Sequence, residues 1–160
     1  MINPNECIIR PFQPDDRTLV TAFFDQMGGE SRGFFNIDDG NRFTALKEFS
    51  GPTPRERRFM AVDNGEMVGY VFLYEYQQIT PWVGIAVAEH YKGKHLGRRL
   101  MAFVEQYARE HGKGGLFLTT HMANTRGQAL YTYCGYQRIG VHTGGEILFF
   151  LPFLDENVPQ

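Results

Sequence analysis

The sequence predicts an α/β (α+β) fold: a mixed, mostly antiparallel sheet of about seven strands flanked by helices. Three observations point there. The chain has 160 residues, 42% hydrophobic and 21% charged, enough apolar material for one real core. Two strand-like runs in its middle meet at Asp63-Asn64-Gly65-Glu66, and Asn-Gly is the strongest short hairpin signal. Further on, strand and helix patterns alternate, which requires crossover connections and makes the sheet mixed.

Residues 6–12 read as the first strand. Residues 14–27 follow as a helix, with Pro14 at its start, Asp15 and Asp16 in the first turn, and Leu19, Val20, Phe23 and Phe24 on one face. Gly28 and Gly29 end it. Residues 30–40 are irregular, and 41–49 form a second short helix. The hairpin pairs residues 57–62 with 67–76, and 81–88 give another strand. Residues 95–111 carry Leu96, Leu100, Phe103, Val104 and Tyr107 at helical spacing and stop at Gly112. A strand at 116–120, a helix at 124–133 and strands at 136–139 and 146–154 complete the order. The whole reads as one domain, residues 1–154, with a short tail, 155–160, that frays.

Composition excludes several functions. The longest apolar run, 147–154, is broken by Pro152 and far too short to span a bilayer. The N-terminus lacks the apolar stretch of a signal peptide, and Cys7 and Cys134 make no disulfide framework. A cytoplasmic protein with free thiols is therefore expected. A net charge of −2 argues against nucleic-acid binding. His90, His95, His111, His121 and His142 show no metal-ligand spacing with the cysteines, so no metal is expected. The Phe-rich final strand could extend a partner's sheet in a homodimer or simply finish its own.

Against this acidic average, Lys92, Lys94, His95, Arg98 and Arg99 crowd around Gly93 and Gly97, between a strand and a helix. Such a loop offers successive backbone N–H groups and a helix N-terminus to phosphate, and glycine lets the oxygens approach closely. A small polyanion suits it better than a long one. It is not a P-loop, because Arg98-Arg99 stands where Lys-Ser/Thr is needed, and it lacks the G-x-G-x-x-G dinucleotide fingerprint.

The stretch from Val87 to Leu100 resembles the acyl-CoA-binding segment of the GNAT family of N-acetyltransferases, whose common form is Arg-Gly-x-Gly-x-Gly. Lys92 takes the Gln/Arg place, Gly93 the next, His95 the middle glycine and Gly97 the last. A second segment, His121 to Tyr136, is similar to the family's Asn-x-x-Ala-x-x-Leu-Tyr-x-x-x-Gly-Phe. Asn124, Leu130, Tyr131, Gly135 and Tyr136 fall in register, with Gly127 at the usual alanine. The resemblance covers most of the chain from Phe59 to Leu154.

The resemblance implies an acyl-CoA N-acyltransferase fold with a splay between strands 4 and 5, where pantetheine lies like an extra strand. Acetyl-CoA is the implied cosubstrate and a primary amine of a small molecule or peptide the acceptor, which attacks the thioester directly. Backbone groups of Ile85, Ala86 and Val87 would bond the pantetheine. Lys92, Gly93, Lys94, His95, Leu96, Gly97 and Arg98 would cradle the pyrophosphate, and Asn124 would cap a helix and bond the cofactor. Tyr131 is the implied general acid, since a phenol stays protonated at neutral pH and can meet the departing thiolate. Glu75, Glu89 and His121 are candidate bases. Gly84 marks either a bulge that opens the splay or a small core residue. The acceptor would be bounded by residues 28–54, with Phe34, Phe35 and Phe43 beside Glu30, Asp38 and Asp39. The alternatives are a non-catalytic CoA-binding sensor on the same fold and, for Cys134, an acyl-cysteine intermediate that no neighbouring base in the sequence supports.

Overall fold

The computed structural model describes residues 7–28 and 53–154. Its elements are β1 (Ile8–Pro11), α1 (Arg17–Gln26), β2 (Glu56–Asp63), β3 (Glu66–Tyr74), β4 (Trp82–Val87), a 3-10 turn (Glu89–Tyr91), α2 (Leu96–Glu110), β5 (Gly115–Thr120), α3 (Thr125–Tyr133), β6 (Gln137–Val141) and β7 (Ile147–Pro152). The short helix expected at 41–49 lies outside the described residues. The seven strands form one open sheet in the order β1-β2-β3-β4-β5-β7-β6. Every pairing is antiparallel except β4 with β5.

The hairpin between β2 and β3 follows from its turn. Asn64 and Gly65 have φ of 50° and 76°, the two positive values that a type I′ turn demands. Helix α1 starts later than the sequence suggests, because Asp16 serves the preceding turn. Its carboxylate accepts from both ends of the Arg10 guanidinium, at 2.6 and 2.8 Å, and from the Gln13 N–H at 2.6 Å. That bidentate pair fastens β1 to α1, and the Arg10 hydrogen bond holds the Asp16 carboxyl below the usual carboxylate range.

Alternation along the strands sorts the side chains onto two faces. Gly69 of β3 faces α2 so closely that an added Cβ would lie 2.8 Å from Leu100. Helix α2 buries Leu96, Leu100, Met101, Val104 and Ala108 there. Phe59 packs edge-on against Phe103 and Tyr107 at 4.9 and 5.0 Å. The opposite face carries Tyr70, Phe72 and Tyr74, with Phe24 of α1 edge-on to Tyr70 at 5.8 Å.

The parallel pair is splayed. Strands β4 and β5 are in register at Trp82 and Phe117 only, then diverge. Gly84 does not cause this by a bulge: β3 and β4 pair without a shift from Gly69↔Val87 to Tyr74↔Trp82. The small-residue explanation holds instead. Gly84 lies opposite Phe72, and any Cβ there would overlap that ring.

Candidate active site

One cavity of about 1350 Å³ runs through the splay and opens toward both faces of the sheet. Its α2-side wall includes Ile85, Val87, Lys92, Gly93, the run from His95 to Arg98, Asn124, Arg126 and Tyr131. Its α1-side wall includes Met27 and Gly28 after α1, Glu56 and Arg58 of β2, Phe72 and Tyr74 of β3, Ala86, Thr119 and Glu146.

The loop is built to present backbone donors. Gly93 (φ 77°) and His95 (φ 66°) are both left-handed, and His95 is the residue before the first turn of α2. Among the described residues, nothing accepts the N–H groups of the six residues from Gly93 to Arg98. Six open donors at a helix N-terminus suit a diphosphate. Gly97 brings α2 against α3, where a Cβ would meet Leu130 at 3.1 Å. Beside that contact the Arg98 guanidinium lies over the Tyr133 ring at 3.8 Å. Tyr91 steadies the approach by donating its hydroxyl to Asp63 in the β2–β3 turn. Lys92 is 3.0 Å from Glu89, so part of its charge is already matched.

The edge of β4 supplies the second set of donors. The Ala88 N–H bonds the Val68 carbonyl of β3 at 2.9 Å. Backbone direction alternates along a strand, so the amides of Ile85 and Val87 face the splay while that of Ala86 faces β3. Ala86 thus borders the cavity through its side chain alone.

On the far side of the splay, Asn124 caps α3. Its Oδ1 accepts the Gly127 N–H at 3.0 Å, and its Nδ2 donates to Thr120 Oγ1 at 3.1 Å. The amide group fills the space beside Gly127, where an added Cβ would lie 2.4 Å from Asn124 Nδ2. Tyr131 is buried against Phe149 at 5.7 Å and Tyr136 at 6.4 Å. Burial, with a smaller contribution from Cys134, pushes its phenol well above the ordinary value. Its hydroxyl bonds no described residue and so is available to the cavity. Burial and Glu105 likewise raise the Cys134 thiol, which disfavours the thiolate an acyl-cysteine would need.

Three of the residues expected to bind the cofactor or act in catalysis do not border the cavity: Glu75, His121 and Lys94. Glu75 follows β3 in a left-handed conformation (φ 51°), and its carboxylate turns to Arg55 and, at 3.2 Å, Gln77. His121 is exposed, with Nδ1 accepting the Ala123 N–H at 3.0 Å in its own turn. The acceptor loop expected from Phe34, Phe35, Phe43, Glu30, Asp38 and Asp39 lies outside the described residues.

Sequence reasoning missed Glu56, Arg58, Tyr74 and Glu146. Arg58 is buried; its guanidinium is 2.9 Å from Glu56, accepts contact from the Phe72 ring at 5.1 Å and donates to the Tyr70 hydroxyl. Tyr74 is pushed up to about 12 by burial, then by Glu146 and Glu75. The signal available was β2 itself, where Glu56 and Arg58 sit two apart on the face shared with Phe72 and Tyr74.

Among the described residues, no three His, Cys, Asp or Glu side chains cluster as metal ligands would, and no helix is long and apolar enough to cross a membrane. Solved acetyltransferase structures share this fold. The GNAT domain of S. lividans PAT matches with a TM-score of 0.77 and 17% identity, over 92% of this chain and 90% of that one. The PaiA N-acetyltransferase from Thermoplasma acidophilum, solved in complex with coenzyme A, matches with a TM-score of 0.74 and 15% identity, over 92% and 99%. The ribosomal-protein-S18-alanine N-acetyltransferase from Escherichia coli gives a TM-score of 0.69 at 19% identity, over 96% and 99%. At these identities the likeness is one of fold. The family is established by the sequence: the description of the Acetyltransferase (GNAT) family matches residues 13–136, and the chain belongs to it.

Proposed function

We propose that the protein transfers an acetyl group from acetyl-CoA to a primary amine. The observation that carries this is the run of open N–H groups from Gly93 to Arg98, set at the mouth of the splay. A diphosphate there would leave the pantetheine to lie along β4, within reach of the Ile85 and Val87 amides. One of those amides would polarise the thioester carbonyl and stabilise the oxyanion formed by attack. The amine nitrogen bonds the carbonyl carbon, the C–S bond breaks, and CoA leaves as a thiolate. Tyr131 supplies the proton to sulfur and is reprotonated from solvent, which also takes the proton lost from nitrogen. Burial keeps that phenol protonated through the neutral range.

A wall of side chains on the α1 side, including Glu56, Arg58, Tyr74 and Glu146, favours an enzyme over a CoA sensor, which needs only the other wall. Calorimetry with acetyl-CoA, followed by thiol release across a panel of primary amines, tests the proposal. Saturable heat and amine-dependent thiol support it; heat without thiol favours the sensor; no heat refutes both.

A further inference from the structure

The charges around the cavity are divided between its two ends. Among the described residues three carboxylates border it: Glu56, Glu89 and Glu146. Glu89 is matched by Lys92 at 3.0 Å, and Glu56 by Arg58 at 2.9 Å. Glu146 forms no ion pair or side-chain hydrogen bond with any described residue. On the loop side Arg98 and Arg126 carry positive charge toward the cavity mouth. Among the described residues, the α1-side end is therefore left with a single uncompensated negative charge, and the loop end with net positive charge.

Glu146 is held in place by its backbone. It closes the β6–β7 turn, where Gly144 and Gly145 are left-handed at φ 87° and 81°. Its carbonyl accepts the His142 N–H at 2.7 Å, and the Gly145 N–H returns to the His142 carbonyl at 3.0 Å. The His142 ring rests edge-on against Trp82 at 5.4 Å, which folds the turn over the α1-side face. Trp82 stacks with Tyr74 at 6.3 Å, and Tyr74 lines the same cavity as Glu146, whose charge helps to raise its phenol. Partial burial keeps the field of that carboxylate from being screened as fully as a surface charge would be.

We infer that Glu146 is the specificity residue for the acceptor, and that the acceptor is a cationic amine with no carboxylate beside the nitrogen. This rests on the acetyl-transfer reading. The ammonium form is drawn to Glu146 and to the Tyr74 face before it loses its proton to solvent. An α-carboxylate would meet repulsion from Glu146. Among the described residues the one α1-side cation, Arg58, is already engaged by Glu56, Tyr70 and Phe72.

Matched pairs test this: tyramine against tyrosine, and 1,4-diaminobutane against ornithine, with acetyl-CoA saturating. The wild type should favour the member without the carboxylate by at least about tenfold in kcat/KM, the size of one charge-assisted contact. Glu146→Gln should collapse that ratio mainly through KM, and Glu146→Asp should keep part of it. The acetyl-CoA heat of association should be unchanged in both variants. An unaltered ratio in Glu146→Gln, or wild-type turnover of the amino acids as fast as of the amines, overturns the inference and leaves acetyl transfer standing. Transfer to none of the four compounds overturns the inference, and acetyl transfer falls with it when the wider amine panel also releases no thiol.

Discussion

The two ends of the cavity are made of different materials. The loop end is mostly backbone: N–H groups of consecutive residues from Gly93 to Arg98, and amides of Ile85 and Val87. The α1-side end is side chains drawn from six separate places: β2, β3, β4, β5, the residues after α1, and the β6–β7 turn. Backbone donors are the same whatever residues carry them, so the first end tolerates substitution and fixes a common ligand. The second end depends on the identity of each side chain and is where one family member can differ from another.

The largest effect should come from the side-chain end. Arg58→Ala removes the guanidinium that Glu56 and the Tyr70 hydroxyl both use. Breaking a buried pair is costly, and because Glu56 is partly exposed the low end applies, about 3 kcal/mol in chemical denaturation. Pairing Arg58→Met with Glu56→Gln removes both charges and should cost less than Arg58→Ala. Acetyl-CoA affinity of the folded fraction should be unchanged. A loss of affinity with stability intact would erase the distinction between the ends.

Legibility in the sequence follows the same division. The β2–β3 hairpin was readable because Asn64-Gly65 encodes its own turn, and the loop because Gly93, Gly97 and the basic residues are contiguous. Helix α2 showed its buried stripe through spacing alone. What could not be read depends on pairing across the sheet. Gly84 is small because Phe72 lies opposite it, and Arg58 has a partner because β2 runs beside β3. Glu75 looked like a base at a strand end, but one left-handed residue swings its carboxylate to Arg55. Glu146 carried no local signal; it borders the cavity because β7 pairs with β5 and the turn before it packs its His142 on Trp82. The late start of α1 has the same origin, since Asp16 answers to Arg10 of β1 rather than to its own helix.

Tyr131 stands where the two ends meet, and its replacement separates chemistry from binding. Tyr131→Phe keeps the ring against Phe149 and Tyr136 and removes one hydroxyl. Loss of a general acid should lower kcat about 100-fold, with acetyl-CoA affinity little altered. The raised phenol predicts a further result. With the folded-state value above the ordinary one, the proton is retained as pH rises past about 10, so wild-type kcat should show no alkaline fall from this group below that pH. A basic limb near neutrality that disappears in Tyr131→Phe would contradict this.

The smallest effect should come from the residue that looks most out of place. His95 occupies a left-handed position where the family's loop has glycine, at a cost of about 1 kcal/mol for a residue with a Cβ. His95→Gly should relieve that strain, so stability should hold or rise slightly. If the cradle is backbone, acetyl-CoA affinity should stay within about threefold, since every N–H from Gly93 to Arg98 remains. Asn is the control, because it tolerates the same φ yet carries no imidazole. A loss of affinity in His95→Gly and His95→Asn alike would show that the imidazole grips the ligand. A loss in His95→Gly alone would mean that the strained φ needs a side chain to preorganise it. Either outcome would move part of the loop end from backbone recognition to side-chain recognition, and the contrast between the two ends would narrow by that amount.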